Sequence, residues 1–355
     1  MQGLKKFQLM LLAVFALLIG GVVPVTAKAA GVNNNIGYSV EAQIPKNQID
    51  KSQSFFELRM KPGQTQTLRT KIFNVTNQDI RVKSAMHTAW TNSSGVIDYI
   101  NTPKSYDSSL KYKMSDISRV QGQKTVTVPA GGSKVVSVNV QVPQDKSYNG
   151  LILGAWYFER VDTKVTGKVK GANNIKNKYS YVVGMEYLMG KVPAADLKLG
   201  KVGAGMDNYH RGVIANLKNP TATIIPNLKL DSTITNRDGG QTVKRVQKEN
   251  VQMAPNTTYR YPMLYGKTPL KAGHYHLHMV VKNKDRTWIF DRDFTITNAQ
   301  ANKFNSDSVD DPGVNIWLLI GLGALAMLIL VLLILLIIYL IRRRRRDEDE
   351  NEKQK

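Results

Sequence analysis

Three histidines alternate along one segment of the chain, His274, His276 and His278. Residues two apart share a face of a β-strand, so the three imidazoles lie side by side if this segment is extended. Neutral imidazole is a common ligand of zinc in proteins. The spacing therefore raises the possibility of a metal site.

The segment that follows the histidines adds two carboxylates. Pairing across a turn at 282–286 places Asp293 opposite His276 and Asp291 opposite His278. Imidazole and carboxylate ligands together suit zinc, but on a solvated face the same groups form His–Asp pairs of modest energy. We expect no metal and no other cofactor, and zinc at the three histidines is the alternative.

A second group of side chains has the chemistry of a glycan-binding surface. Trp90, Asn92, Asp98 and Tyr99 lie close together in the chain. Sugar faces stack on aromatic rings, and sugar hydroxyls hydrogen-bond with Asn and Asp. We predict that these four residues bind a ligand. Trp156 is a fifth candidate, although its apolar neighbours are equally typical of a core tryptophan.

Catalytic motifs are missing from the chain. It has no cysteine, no H-E-x-x-H, no G-x-S-x-G and no phosphate-binding P-loop. The acid pair Asp291 and Asp293 is a weak signal for a glycosidase, because it lies on a predicted strand without a recognisable cleft. We therefore predict a binding protein and not an enzyme.

Hydrophobic residues recur with a period of two through most of the chain. Val136, Val138, Val140 and Val142 alternate with polar residues before Pro143, which is the pattern of a half-buried strand. Similar short strands recur between turns that contain Pro-Gly, Asn-Pro and Asp-Gly-Gly. The pattern predicts an all-β protein with two immunoglobulin-like β-sandwich domains in tandem, plus a C-terminal transmembrane helix.

The two ends of the chain predict its topology. An apolar run at 316–341 is followed by five arginines, which favour retention of that end on the cytoplasmic side of a membrane. Residues 1–29 have the features of a signal peptide, with Lys5 and Lys6, an apolar stretch and an Ala-Lys-Ala site. We expect a single-pass type I protein with a cytoplasmic tail at 342–355 and an extracellular amino-terminal portion.

The portion outside the membrane is strongly basic. The whole chain has 49 Lys and Arg against 27 Asp and Glu; without the predicted signal peptide and tail, 39 and 22 remain. Such a charge favours polyanionic partners, and the predicted topology makes nucleic acid an unsuitable one. We expect peptidoglycan or another anionic polymer of the cell wall.

The domain boundaries follow from composition. We place the first domain at 36–160, the second at 170–298 and a polar stalk at 299–315. The stretch 161–178, rich in Lys, Gly and Asn, is either a linker or the tip of a hairpin. We favour the hairpin, with 151–159 pairing with 181–189, and this moves the first boundary to about 192.

Several segments resemble the WxL-interacting proteins of Gram-positive bacteria. The segments similar to the first domain of that family are IPKNQI at 44–49, FELRMKPGQ at 56–64, TNSSGVIDY at 91–99, VP at 142–143 and NGLILG at 149–154. Those similar to its second domain are MAPNT at 253–257, LKAGHY at 270–275, WIF at 288–290 and FTI at 294–296.

The resemblance implies a peptidoglycan-binding domain followed by a host-binding domain. It also implies partnership with secreted WxL-domain surface proteins, and a host ligand such as an extracellular matrix protein. The chain has no Leu-Pro-x-Thr-Gly sorting signal, so we expect attachment to the wall to be noncovalent. The alternative is a purely structural subunit of a surface complex that binds no glycan itself.

Overall fold

The first β-sandwich is formed by the amino-terminal half of the described chain. The computed structural model describes residues 36–162, 179–310 and 316–352, so the predicted signal peptide lies outside the described residues. The strands of this half are β1 (Tyr38–Gln43), β2 (Phe56–Arg59), β3 (Thr65–Asn74), β4 (Ile80–Thr88), β5 (Trp90–Thr91), β6 (Ile97–Asp98), β7 (Ser118–Val120), β8 (Thr125–Val128), β9 (Ser133–Gln141), β10 (Gly150–Arg160) and β11 (Ser180–Met189), with one short helix, α1 (Met114–Ile117), before β7.

Two sheets make up this sandwich. One has the order β1-β3-β9-β7 and the other the order β2-β11-β10-β4-β8, while β5 and β6 form a separate hairpin. Neighbouring strands are antiparallel except β2 and β11, which run parallel. The predicted face of β9 is confirmed, since Val136, Val138 and Val140 are buried between the sheets.

The predicted pairing of 151–159 with 181–189 is also observed. Strands β10 and β11 are antiparallel, with Gly150 opposite Met189 and Glu159 opposite Ser180. The first sandwich therefore continues through β11. Residues 163–178, at the tip of this hairpin, lie outside the described residues.

The second β-sandwich has seven strands. They are β12 (Lys198–Asp207), β13 (His210–Asn219), β14 (Ile225–Asn236), β15 (Thr242–Met253), β16 (Thr257–Leu264), β17 (Gly273–Lys282) and β18 (Thr287–Ile296). One sheet has the order β12-β13-β16 and the other β15-β14-β17-β18. This is the immunoglobulin constant-domain arrangement with the fourth strand moved to the opposite sheet. The all-β prediction of tandem immunoglobulin-like sandwiches is confirmed.

The residues assigned to the stalk differ from the prediction. Helix α2 (Asn298–Ser306) follows β18 directly and begins with a capping box in which Thr297 and Gln300 bond to each other's backbone N–H. Ala301 is buried in the core of the second sandwich. The Asn305 side chain bonds both backbone groups of Leu270, at 2.8 and 2.9 Å. Polar composition suggested a stalk, but these contacts attach the segment to the sandwich.

A buried arginine holds the end of this segment. Arg211 is 1% exposed, and its guanidinium donates to the carbonyl oxygens of Gly266, Lys267 and Thr268. The Asp310 carboxylate accepts from the backbone N–H of Arg211 and pairs with His210 at 2.7 Å. The described chain up to residue 310 thus belongs to the second sandwich, and the stalk prediction is wrong for 299–310.

Helix α3 (Ile316–Glu352) contains the apolar run. Its stretch Trp317–Ile341 has 25 residues with a mean hydropathy of 3.4, and among the described residues it alone is long and apolar enough to cross a membrane. At about 1.5 Å per residue it exceeds the ~30 Å of a bilayer core. The predicted C-terminal apolar helix is confirmed, and a single-pass anchor fits it.

Candidate functional site

A cleft opens on the first sandwich where the segments at 44–49 and 56–64 meet. It has a volume of about 970 Å³ and is formed by the loop before β2 and the turn between β2 and β3. We call it the amide cleft. Its lining residues are Asn47, Gln48, Ile49, Arg59, Lys61, Pro62, Gly63 and Gln64.

Amide side chains form the floor of the amide cleft. Asn47 and Gln66 exchange two hydrogen bonds, each of 2.9 Å, and Gln64 donates to Gln66 at 3.1 Å. Gln64 also accepts from the backbone N–H of Lys61. These contacts fix the amides, and Gln64, which lines the cleft, retains one N–H for a ligand.

The turn that closes the amide cleft requires its glycine. Gly63 has φ +74°, and Gln64 N–H donates to the Lys61 carbonyl at 3.0 Å, so residues 61–64 form a type II β-turn after Pro62. Gly63 N–H donates to the Pro143 carbonyl. The segments at 56–64 and 142–143 therefore meet here.

Two cations stand at the rim. Arg59 and Lys61 are exposed, and neither side chain forms an ion pair or hydrogen bond with a residue that the structure describes. The backbone carbonyl of Asn47 accepts a hydrogen bond from the backbone N–H of Arg59. This bond fixes the position of Arg59 beside the amide floor. The cleft thus offers hydrogen bonds to amide and hydroxyl groups and charge to carboxylates.

The predicted glycan-binding loop is a hairpin with a different set of contacts. Trp90 pairs with Asp98 across β5 and β6, and the indole N–H of Trp90 donates to the Asn101 carbonyl at 2.7 Å. Asn92 accepts from the N–H groups of Ser94 and Val96. The structure brings Trp90, Asn92 and Asp98 together, but it uses their polar groups to shape the turns.

Asp98 is held in its charged form by its neighbours. Partial burial alone would raise the pKa of this carboxyl, but the backbone and side-chain amides of Asn101 and the N–H of Ile100 donate to it. These bonds outweigh burial and lower the pKa. Burial raises the pKa of Tyr99 to about 12, with a further contribution from Glu186.

The same hairpin contacts the second sandwich. Thr91 Oγ1 lies 2.9 Å from Thr257 Oγ1 and accepts from the N–H of Ala254 at 3.0 Å. The Gly95 carbonyl accepts from Gln252 N–H at 2.8 Å. Segment 91–99 of one sandwich therefore meets segment 253–257 of the other.

Segment 149–154 contributes to the same junction. Leu151 N–H donates to the Ala222 carbonyl at 2.8 Å. Gly150 has φ +131°, and a Cβ on it would stand 2.4 Å from Ala222. Three of the segments that carried the family resemblance thus join the two sandwiches, which sequence reasoning did not predict.

Trp156 lies away from any ligand surface. It is 0% exposed in the core of the first sandwich and packs against Phe158 with ring centroids 5.1 Å apart. The prediction that it binds a glycan is wrong, because a fully buried ring cannot stack on a sugar. The core interpretation of its apolar neighbours is the correct one.

The histidine face of β17 has the predicted register. His276 lies opposite Asp293, and His278 opposite Asp291. His276 Nδ1 lies 2.6 Å from Asp293 and Nε2 lies 3.1 Å from Asp291, and the protonated ring donates to both carboxylates. The bond to Asp293 raises the pKa of His276 more than burial lowers it. An imidazolium that donates from both nitrogens has no lone pair for a metal.

The remaining contacts of this face are pairs as well. His278 Nδ1 bonds Asp291 at 2.8 Å and His274 Nδ1 bonds Thr295 at 3.1 Å. Among the residues that the structure describes, no group of three or more His, Asp or Glu side chains is arranged to hold a metal ion. The arrangement can store charge and respond to pH.

The amide cleft itself was missed as a site. The sequence shows the segments 44–49 and 56–64 but predicts ligand binding at the Trp90 hairpin, because aromatic side chains are the more typical feature of a glycan-binding surface. Three amides and a Pro-Gly turn give little signal until the fold brings them together. Asn47 lies 17 residues before Gln64 and 19 residues before Gln66, so their contact is not visible as a local sequence pattern.

Comparison with known families gives two matches. The peptidoglycan-binding domain of the WxL Interacting Protein family matches residues 38–160, and the host-binding domain of the same family matches residues 170–306. Together they span well over half of the chain. The second match begins before β11, although β11 pairs within the first sandwich.

Other comparisons add little. None of the curated proteins matches the chain. Among solved structures, the E. coli chaperone DraB has 15% identity, covers 72% of this chain and 95% of its own, with a TM-score of 0.28. The class 5 fimbriae chaperone CfaA has 13% identity, with 66% and 95% covered and a TM-score of 0.29. At these TM-scores the similarity supports no argument, and the fold assignment rests on strand order.

Proposed function

The chain belongs to the WxL-interacting protein family, and from this premise we propose that it is a membrane-anchored surface protein that attaches noncovalently to peptidoglycan through the amide cleft. It carries the peptidoglycan-binding and host-binding domains of that family, and both are binding domains, not catalytic ones. The observation that supports the proposed site is the amide cleft, which lies in the region that matches the peptidoglycan-binding domain.

The chemistry of peptidoglycan suits this cleft. Its sugars carry N-acetyl amides and hydroxyls, and its stem peptides carry carboxylates. The fixed amide of Gln64 has one N–H for a carbonyl or hydroxyl oxygen. Arg59 and Lys61 at the rim attract the carboxylates, and an arginine fork can bind one in bidentate fashion.

The cleft lining contains no aromatic ring, so recognition rests on hydrogen bonds and charge. Such binding weakens at high ionic strength, because the Debye length falls from ~10 Å at 0.1 M to ~3 Å at 1 M salt. The basic ectodomain adds long-range attraction to an anionic wall. We expect salt to reduce binding without abolishing it.

The other partners follow from the family. We propose that the second sandwich contacts a host surface protein, such as an extracellular matrix protein, and that the ectodomain associates with WxL-domain proteins. Helix α3 would cross the cell membrane with its arginine-rich end in the cytoplasm and the sandwiches in the wall zone, supported by its length and by the run of five arginines.

Sedimentation with insoluble peptidoglycan tests the proposal. The detergent-solubilised chain is compared with the double variant Arg59→Gln, Lys61→Gln and with a control, Lys124→Gln, Lys134→Gln, which changes the charge equally at exposed positions outside the cleft. We expect the cleft variant to bind at least about tenfold more weakly, since the loss of a single charge-assisted bond of ~1.5 kcal/mol already corresponds to that factor, and the control to bind like the wild type.

Two results would contradict this proposal. Equal loss in both double variants would mean that net charge, and not the cleft, holds the polymer. Absence of sedimentation by the wild-type chain at physiological salt would favour the alternative, a structural subunit that binds no glycan itself.

A further inference from the structure

The two most exposed large hydrophobic side chains of the described sandwiches lie at one place. Tyr209 is 73% exposed and Val309 is 66% exposed. The backbone N–H of Val309 donates to the Tyr209 carbonyl at 3.1 Å. We call these two residues the apolar tip. Single exposed apolar residues are normal on a protein surface, but two that are held together indicate a contact surface.

The backbone conformation of Tyr209 is unfavourable for its side chain. Asp207 pairs with His210, so Asn208 and Tyr209 form a two-residue loop between β12 and β13. Their φ angles are 47° and 65°, as in a type I′ turn. Asn suits the first position, whereas the second normally holds glycine because a Cβ is strained there. The fold by itself would therefore favour glycine over an exposed tyrosine at this position.

Contacts with the end of the second sandwich hold the apolar tip in place. Ser308 is buried, and its Oγ lies 3.3 Å from the Tyr209 carbonyl oxygen and 3.0 Å from the Asp310 carboxylate. Asp310 in turn pairs with His210 at 2.7 Å. The backbones of Tyr209 and Val309 are therefore fixed relative to each other.

The apolar tip lies at the end of the second sandwich that is remote from the first. Strand β13 starts at His210, beside the tip, and ends at Asn219. The Ala222 carbonyl, shortly after this strand, accepts the Leu151 N–H of the first sandwich. At ~3.3 Å per residue, β13 spans about 30 Å. The tip and the junction of the sandwiches therefore lie at opposite ends of β13.

Helix α3 begins close to the apolar tip along the chain. Its first residue, Ile316, follows Asp310 by six residues, so the two Cα atoms lie at most ~22 Å apart. Trp317 comes next and is 80% exposed. Tyr and Trp are enriched where a protein meets a membrane surface, because their rings are apolar and their polar groups remain in water. The exposed tyrosine is thus within reach of the surface at which α3 would enter a bilayer.

The charges around the apolar tip are mixed. Arg211 bonds the carbonyl of Lys267, whose side chain is exposed and forms no ion pair with a described residue. Two acids flank the tip in the chain, Asp207 at the end of β12 and Asp307 at the end of α2. This end of the sandwich therefore offers an apolar contact and not a field of one sign.

We propose that the apolar tip enters the lipid headgroup region of the membrane that α3 crosses, and that the second sandwich is thereby held against the membrane surface. This inference rests on the proposed membrane crossing by α3. A contact of two side chains is weak alone, but the short connection to α3 keeps the tip near the lipid at a high effective concentration. The docked second sandwich would extend the first sandwich, with its amide cleft, away from the lipid.

The experiment uses the full chain reconstituted into phosphatidylcholine vesicles, which carry no net charge. The chain has no cysteine, so Asp307→Cys accepts a single fluorophore two residues from Val309 and leaves the apolar tip intact. Lipids with a nitroxide on the headgroup quench a fluorophore only at short range. We expect quenching at least about threefold stronger than at Val75→Cys, an exposed site on the first sandwich.

Variants of the tip separate docking from mere proximity. The double variant Tyr209→Gly, Val309→Ser should lose at least about half of the quenching, because the connection to α3 alone leaves the sandwich free to rotate. Ile289→Ser removes an exposed apolar side chain elsewhere on the second sandwich and should behave like the wild type. Tyr209→Gly alone should not lower the midpoint of thermal unfolding, because glycine suits the turn.

The outcomes separate this inference from the proposed function. Unchanged quenching in the double variant, or equal quenching of the two probes, would overturn docking of the tip. A lower unfolding midpoint of Tyr209→Gly would assign the ring to folding and contradict its assignment to the lipid. Release of the wild-type chain from vesicles by carbonate would instead overturn the proposed membrane crossing. Sedimentation with peptidoglycan should be the same in the double variant and the wild type, since the amide cleft is on the first sandwich.

Discussion

At the residue scale, Glu186 is a half-buried carboxylate whose charge the fold does not stabilise. It lies in register with a second acid, Glu57, and forms no ion pair with a described residue. A glutamine of the same shape would be cheaper to bury. The charge of Glu186 is therefore a cost to folding at neutral pH.

This leads to a stability prediction for Glu186→Gln. A carboxyl with a raised pKa binds its proton more tightly in the folded state, so folding loses stability as pH rises from about 4.5 through about 6. We expect the variant to unfold a few degrees higher at pH 7.5, from about 1 kcal/mol, and like the wild type at pH 4.5. A lower midpoint at pH 7.5 in thermal unfolding by circular dichroism would contradict it.

The His276 pair also loses stability as pH rises, but here the charged form of the histidine is the one that the fold stabilises. The bond to Asp293 raises the pKa of His276. Bonds from His278 and then His276 lower the pKa of Asp291, and the bond from His276 lowers that of Asp293. The stabilisation is full between about pH 4 and 6.5 and is lost as pH rises through the folded pKa of His276.

Substitution of one acid tests this relation. Asp293→Asn removes the strongest partner and should lower the titration midpoint of His276, followed through its Cε1–H resonance by NMR. The variant should be less stable than the wild type at pH 5.5 and equally stable at pH 8.5. An unchanged His276 midpoint would exclude the pair, and His210, on another strand, serves as the internal control.

At the element scale, two segments connect parts of the fold through their side-chain and backbone contacts. Helix α2 is a continuation of the second sandwich, because Asn305 replaces the missing strand partner of Leu270. The β5–β6 hairpin connects the sandwiches through Thr91 and Gly95. Both segments are polar in composition, which in sequence indicates loops.

Asn305→Ala should detach helix α2. The change leaves a backbone N–H and a carbonyl of Leu270 without partners, a cost of about 1–3 kcal/mol. Thermal unfolding measures it. Asn302→Ala, at an exposed position of the same helix, is the matched control and should be neutral or slightly stabilising. Equal midpoints of the two variants would contradict the role of Asn305.

Gly150→Ala should disturb the junction of the sandwiches. It combines a positive φ with a Cβ that would stand 2.4 Å from Ala222, so we expect a loss of at least about 2 kcal/mol and faster exchange of the Leu151 amide. The control is Gly131→Ala. Gly131 also has a positive φ, but a Cβ added there would meet no atom within 4 Å, so this variant measures backbone strain alone. A loss no greater than that of the control would show that the junction tolerates the methyl group.

At the scale of the whole molecule, the proposed topology separates binding from anchoring. The described sandwiches end at residue 310, and α3 begins at Ile316, so few residues lie between ligand binding and the apolar helix. A surface held only by this helix must bind the wall through its sandwiches. In that topology the basic sandwiches and the amide cleft precede helix α3 and belong to the extracellular portion.

Truncation tests this separation. A chain that ends at Asp311 should be released into the medium and retain peptidoglycan binding, because α2 and the Asp310 contacts remain. A chain that ends at Thr297 should unfold at a lower temperature, since it lacks Ala301 in the core and the Asn305 bonds. Retention of the Asp311 chain in the membrane fraction would contradict the anchor.

Local patterns were sufficient for several features of this protein. The period of two along β9 and β17, the apolar run at 316–341 and the opposition of His276 and Asp293 follow from residues that are neighbours in the chain or in one hairpin. Hydrophobic burial and strand pairing act at this short range, so the sequence displays them directly.

Only the tertiary structure determined which surfaces are available. Asn47 meets Gln66, Thr91 meets Thr257, and Glu186 loses its water, through contacts between segments that are far apart in the chain. Packing in the core of the first sandwich likewise buries Trp156. Side-chain type specifies what a residue can bind, but packing of distant segments decides whether it remains exposed to bind it.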